Sequence, residues 1–129
     1  LNQPAVIVRG LTHTEEVRVQ NGVELINHLP SQDLEELVIN ASVVIARSGY
    51  STIMDLYCLG KRNVILVPTP GQTEQEYLAR FLKEKKIAVV QNQEQMNIEE
   101  ALQMLPACTG FSANKKKNLL KEALDEFLI

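Results

Sequence analysis

The chain has 129 residues, 45% of them hydrophobic, which is enough for one globular domain with its own core and too few for a large multidomain protein. Thirteen Lys and Arg against sixteen Asp and Glu leave a net charge of -3 and a pI near 5.4; with no basic stripe and no aromatic-rich segment, nucleic acid is excluded as an expected partner. No run approaches the roughly 20 apolar residues of a membrane span, no signal-peptide pattern opens the chain, and Cys58 and Cys108 lack metal or disulfide-framework spacing, which together fit a reducing cytoplasm.

Both cysteines read as buried, inert thiols. The chain opens on Leu1 rather than Met and runs at once into the apolar segment Pro4-Ala-Val-Ile-Val8, as expected of a piece cut from a longer protein. Residues 5–9 have the β-branched pattern of a strand covered on both faces. Residues 15–20 and 23–27 flank Asn21-Gly22, a strong hairpin signal. From Ser31 the period changes: Leu34, Leu37, Val38 and Ala41 share a helical face, with acidic residues in the first turn, so a helix is expected over about 32–41.

A strand over 43–46 follows, then the turn Ser48-Gly49-Tyr50-Ser51-Thr52 and a helix over 51–59 that Gly60 terminates. Residues 63–67 read as another buried strand. Thr73-x-x-Glu76 predicts a capping box opening a helix to Lys85, with Tyr77, Leu78, Phe81 and Leu82 toward the core. A strand over 87–91, a second capping box at Asn97-x-x-Glu100, a short helix ending before Pro106 and a last amphipathic helix over 114–128 complete the series. Its basic run Lys115-Lys-Lys117 reads as a solvated face. Short strands alternating with helices predict an α/β fold: a Rossmann-like parallel sheet with helices on both faces, as one domain over 1–129. In such folds ligands sit at the carboxyl ends of the strands.

Two strand-to-helix junctions lie at such ends. The first, Ser48–Thr52, offers hydroxyls and helix N-terminal amides, and Gly49 lets the backbone approach a ligand; this suits a pyrophosphate, although taken alone Ser48 or Ser51 is more simply read as a helix cap. Asp55 lies one helical turn after Ser51, where a carboxylate can accept from both hydroxyls of a ribose diol or simply complement the helix dipole. Arg47 either neutralises phosphate or bridges to an acid such as Asp55. The second junction, 68–77, carries Glu74, Gln75 and Glu76; Gln75 both donates and accepts, as recognition of sugar hydroxyls requires. Gly10 ends an earlier βα-type junction near the expected cleft. His13 and His28 have no partners at metal or triad spacing, so no catalytic residue is assigned.

Residues 41–55, Ala-Ser-Val-Val-Ile-Ala-Arg-Ser-Gly-Tyr-Ser-Thr-Ile-Met-Asp, then Leu59-Gly-Lys, Val64-Ile-Leu-Val-Pro68 and Glu74-Gln-Glu-Tyr-Leu-Ala79, resemble the C-terminal domain of glycosyltransferase family 28. That family includes the N-acetylglucosaminyl transferase of peptidoglycan lipid II synthesis. The ordered series Arg-Ser-Gly, acid, Gly-Lys, Val-Pro, Gln-x-Tyr carries the resemblance, which is good over about 25–92.

The resemblance implies the C-terminal, donor-binding half of a GT-B fold, without its first βα unit and its N-terminal acceptor domain. It implies a hexosamine transferred from UDP, with UDP-N-acetylglucosamine as donor, no metal or other cofactor, and a cytoplasmic enzyme acting at the inner membrane face on a lipid-linked acceptor. In that frame the 48–52 turn meets diphosphate, Asp55 the ribose, Gln75 and Glu76 the donor sugar, and the backbone near Leu29 the base. The family usually has Glu where Asp55 stands and a second Gln where Glu76 stands, and its glycine-rich loop is absent. The fragment alone is therefore not expected to catalyse transfer. The alternatives are a noncatalytic nucleotide-sugar-binding or regulatory domain, and a UDP-sugar 2-epimerase; the latter is disfavoured because Gln72-Thr-Glu-Gln-Glu76 stands where Thr-Glu-Arg-Pro-Glu is expected.

Overall fold

A computed structural model describes residues 5–8, 17–20, 23–26, 31–111 and 125. The chain divides into two compact units, Leu1–Asn40 and Ala41–Ile129. In the first, β1 (Ala5–Val8), β2 (Val17–Gln20) and β3 (Val23–Ile26) form a sheet of order β1-β3-β2. Here β1 pairs with β3 in parallel, whereas β2 pairs with β3 antiparallel with Gln20 opposite Val23, the register that the Asn-Gly signal requires. Helix α1 (Ser31–Asn40) forms where the apolar period places it. Its stripe is only partly covered, however: Leu34 is exposed and Leu37 and Val38 are half-buried.

The second unit is built on an all-parallel sheet of order β4-β5-β6, with β4 (Val44–Ala46), β5 (Val64–Leu66) and β6 (Val89–Val90). Val44 pairs with Val64 and Ala46 with Leu66; Ile65 in turn pairs with Val89. Helix α2 (Tyr50–Leu59) connects β4 to β5, and α3 (Thr73–Glu84) connects β5 to β6. After β6 come a 3-10 turn (Gln93–Gln95), helix α4 (Ile98–Met104) and a second 3-10 turn (Leu105–Ala107). The central strand β5 is buried along its whole length, as its unbroken apolar run predicts.

Strand alternation distributes the core over two layers. Ile65 and Val67 cluster with Val89 and with Ala101 and Leu105 from the α4 side. Val64 and Leu66 turn to the opposite face, the side left for α2 and α3, which bury Ile53, Leu56 and Tyr57, and Leu78, Ala79 and Leu82. This is the predicted arrangement of a parallel sheet with helices on both faces. Each fully buried Val, Leu or Ile among them contributes roughly 1.5–3 kcal/mol of transfer free energy.

The helix ends show which sequence signals act. Gly60 takes the left-handed conformation (φ 62), and its N–H and that of Lys61 donate to Tyr57 O and Leu56 O, closing α2. The same bond pattern closes α3, with Lys86 (φ 57) in the left-handed position and Ile87 N–H donating to Leu82 O. Asn97 caps α4, its side chain accepting from Glu100 N–H at 3.1 Å, as its capping box predicts.

Beyond α4 the chain returns to the amino ends of the strands. Thr109 and Gly110 N–H donate to Lys86 O and Ile87 O, and Phe111 N–H to Lys61 O. Phe111 then meets the Tyr57 ring edge-on, with centroids 4.6 Å apart. The Tyr57 hydroxyl is buried with no hydrogen-bond partner among the described residues, and burial pushes its pKa up to about 12. The cysteines depart from expectation: Cys58 is exposed and Cys108 half-buried, with burial pushing the Cys108 thiol up. Cys58 follows the buried Tyr57 on α2 and so falls on the helix's outer face. Among the described residues no helix is long and apolar enough to cross a membrane. The expected helix over 114–128, its lysine run, Gly10, both histidines and Leu29 lie outside the described residues, although Asp125 is helical.

Candidate functional site

At the carboxyl end of β4 the chain reads Arg47-Ser48-Gly49. Ser48 is fully buried, and a buried hydroxyl needs a partner; it donates to the Gln75 carbonyl oxygen at 2.7 Å. That bond ties the start of α2 to the first turn of α3, so the two predicted junctions meet. Ser48 therefore neither caps α2 nor presents its hydroxyl outward. Ser51 does not cap it either, because the N-cap is Gly49, which makes no side-chain cap bond. The first intrahelical bond there runs from Ile53 N–H to Gly49 O, 3.0 Å. By helix geometry the N–H groups of Tyr50, Ser51 and Thr52 precede it and point out of the helix end.

Nothing among the described residues requires glycine at 49. Its φ of -69 and ψ of 150 are open to any residue. A Cβ there would meet its nearest neighbour, Gln75 Nε2, at an ordinary 4.0 Å.

Gln75 is more constrained than its sequence context indicates. Its Oε1 accepts from Thr69 N–H at 2.8 Å, which fixes the amide orientation and turns Nε2 toward Gly49. What Gln75 can offer a ligand is a donor. The predicted capping box at Thr73 does not form. Thr69-Pro70-Gly71-Gln72 makes a β-turn with Pro second, Gly71 third at φ 83, and Gln72 N–H bonded to Thr69 O at 3.1 Å. The turn delivers Gln72 as N-cap, so α3 starts at Thr73, with Glu76 N–H donating to Gln72 O. Thr73 is thus one position too far into the helix to cap it.

Arg47 does not pair with Asp55. Its Nη1 donates to Val67 O (3.2 Å) and Pro68 O (3.4 Å), and its Nη2 to Gln93 Oε1 (2.6 Å). All three acceptors are neutral, and no ion pair joins Arg47 to a carboxylate among the described residues. Asp55, Ser51 and Thr52 lie exposed on α2, and Asp55 is unpaired among the described residues. Arg47, Ser48, Gly49 and Gln75 are thus joined directly, with Ser51, Thr52 and Asp55 continuing along α2. Glu74, half-buried, makes no bond to them.

Beside this junction a cleft of about 390 Å³ opens between α3 and the segment after β6, lined by Pro68, Pro70, Glu76, Lys83, Asn92 and Glu94 among others. It places Glu76 at the wall of a cavity, as a ligand contact requires. Lys83, Asn92 and Glu94 carried no sequence signal. Lys83 follows Glu76 by seven residues and so shares its helix face, while the other two arrive only through the fold.

The model of the glycosyltransferase family 28 C-terminal domain matches residues 6–126. No curated protein and no solved structure matches the chain.

Proposed function

The chain belongs to the glycosyltransferase family 28 C-terminal domain family, and from that membership we propose that it is the donor-binding part of a glycosyltransferase that moves a hexosamine from UDP-N-acetylglucosamine to an acceptor held by a further domain. The observation that carries the reading is the start of α2: a helix N-terminus closed by no side chain, bordered by Gly49 and preceded by Arg47, whose guanidinium meets only neutral acceptors among the described residues. Amide dipoles and a guanidinium favour the same thing, an anion with several oxygens.

The amides of 50–52 and the hydroxyls of Ser51 and Thr52 then receive the diphosphate. They also stabilise the charge that grows on it as the bond to the sugar breaks, since such donors act most where charge develops. Ser48 supplies position rather than contact, clamping α2 to α3. Asp55, one turn along α2, accepts from the ribose hydroxyls. Gln75 Nε2 donates to the sugar end of the donor, and Glu76 accepts from sugar hydroxyls across the neighbouring cleft; Glu74 completes that edge. A lipid-linked acceptor at a membrane surface fits the same family reading.

The test is a pair of variants in the full-length protein. Asp55→Ala should weaken UDP binding by roughly 1–3 kcal/mol, the range for charge-assisted hydrogen bonds, measured by calorimetric titration. An unchanged dissociation constant rejects the ribose role. Gln75→Ala should leave UDP affinity nearly intact and lower that for the UDP-sugar; equal losses for both ligands contradict a sugar-facing Gln75.

A further inference from the structure

The segment after β6 is stapled to itself by amide side chains. Gln91 Nε2 donates to Asn97 O at 2.8 Å while its Oε1 accepts from Asn97 N–H at 2.9 Å, closing a two-bond ring across six residues. Asn92 Oδ1 accepts from Glu94 N–H at 2.9 Å and so caps the 3-10 turn that carries Gln93. Gln93 is itself exposed, yet its Oε1 receives Arg47 Nη2 at 2.6 Å, forty-six positions away in sequence. Arg47 is held at both guanidinium corners: two backbone carbonyls at the end of β5 take Nη1, and this side chain takes Nη2.

A long side chain on the surface normally samples many rotamers, and ordering it costs side-chain entropy. Among the described residues that ordering is achieved by acceptors that leave the charge uncancelled. A carboxylate would hold the guanidinium more tightly but would neutralise its field; a glutamine oxygen holds it and does not. We propose that Gln93 is a positioning residue for the donor diphosphate: through Arg47, two residues before Gly49, and from the 3-10 turn after β6, it fixes a full positive charge at the carboxyl end of β5, the strand paired with the one that leads into α2. This rests on the nucleotide reading above. It adds a residue outside both strand-to-helix junctions and ties the loop beyond β6 to donor affinity.

Changing one functional group at position 93 separates charge from geometry. Gln93→Glu keeps an oxygen in place for Arg47 but cancels its charge; Gln93→Ala releases Arg47 with its charge intact. Titration of the full-length wild type and both variants with UDP and with uridine, at low and high salt, reads the difference. At low salt Gln93→Glu should weaken UDP binding roughly three- to ten-fold, with the loss shrinking as salt rises and with uridine affinity unchanged. Gln93→Ala should lose less. A Gln93 whose role is only to brace the loop predicts instead that Gln93→Glu, forming an ion pair with Arg47, binds UDP as the wild type does; that result overturns the proposal and leaves the nucleotide reading standing. A wild type that binds neither ligand overturns both. Because Gln93 is exposed, both variants should melt within a few degrees of the wild type. A parallel loss of UDP and uridine binding in Gln93→Glu also counts against the proposal.

Discussion

Gly110→Ala should destabilise the 41–129 unit by about 3 kcal/mol or more, the combined cost of a left-handed conformation and of overpacking. Gly110 sits at φ 75, where a side chain is strained whatever the space. Space is also missing, because a Cβ would fall 2.8 Å from the carbonyl carbon of Arg62 and closer still to its Cα and oxygen. The obstacle is backbone, so no rotamer change relieves it. Moving either strand of chain would break the bonds from Gly110 N–H to Ile87 O and from Phe111 N–H to Lys61 O that close the amino ends of the sheet. Gly71→Ala provides the control: Gly71 is also left-handed (φ 83), but an added Cβ would have nothing within 4 Å, so this variant should lose only about 1–2 kcal/mol. Urea unfolding of the two variants checks the ordering, and equal losses would mean that the contact with Arg62 is not tight.

The second large effect separates stability from binding at one atom. Gly49→Asp introduces a good N-cap at a position whose backbone already suits it, so α2 should gain a few tenths of a kcal/mol, the usual gain over glycine at such a site. The new carboxylate would occupy the amides of 51 and 52 and place a negative charge where the diphosphate is proposed to sit. UDP affinity should then fall by about 2–4 kcal/mol, from lost charge-assisted bonds plus repulsion. Thermal unfolding and UDP titration on the same protein give the two numbers. A helix start with no ligand to serve would show the gain in stability and no change in binding.

Local signals sufficed at several element ends. The register of β2 against β3 is the one that the Asn-Gly signal predicts, Gly60 closed α2, and Asn97 capped α4, each a relation that spans a few residues. The capping box at Thr73 failed for an equally local reason, because the Pro70-Gly71 turn delivers Gln72 first. Long-range partners were a different matter. Serine at 48 is consistent with a cap, and only the fold brings the Gln75 carbonyl over it. Arg47 reads as a phosphate ligand or an acid's partner, but neither reading could anticipate acceptors from β5 and from beyond β6. Gly110 carries no sign in its neighbours of the Arg62 backbone that excludes a side chain. The cleft wall illustrates both cases: Glu76 was visible from its motif, whereas Asn92 and Glu94 come from a different strand end.

Whether the start of α2 receives a nucleotide diphosphate can be read from the backbone amide shifts of the isotope-labelled full-length protein during UDP titration. Diphosphate bound there predicts the largest saturable changes at Gly49, Tyr50, Ser51 and Thr52, with smaller ones at Asp55 and Gln75. Saturable binding that leaves residues 49–52 unmoved and shifts other amides instead would contradict it.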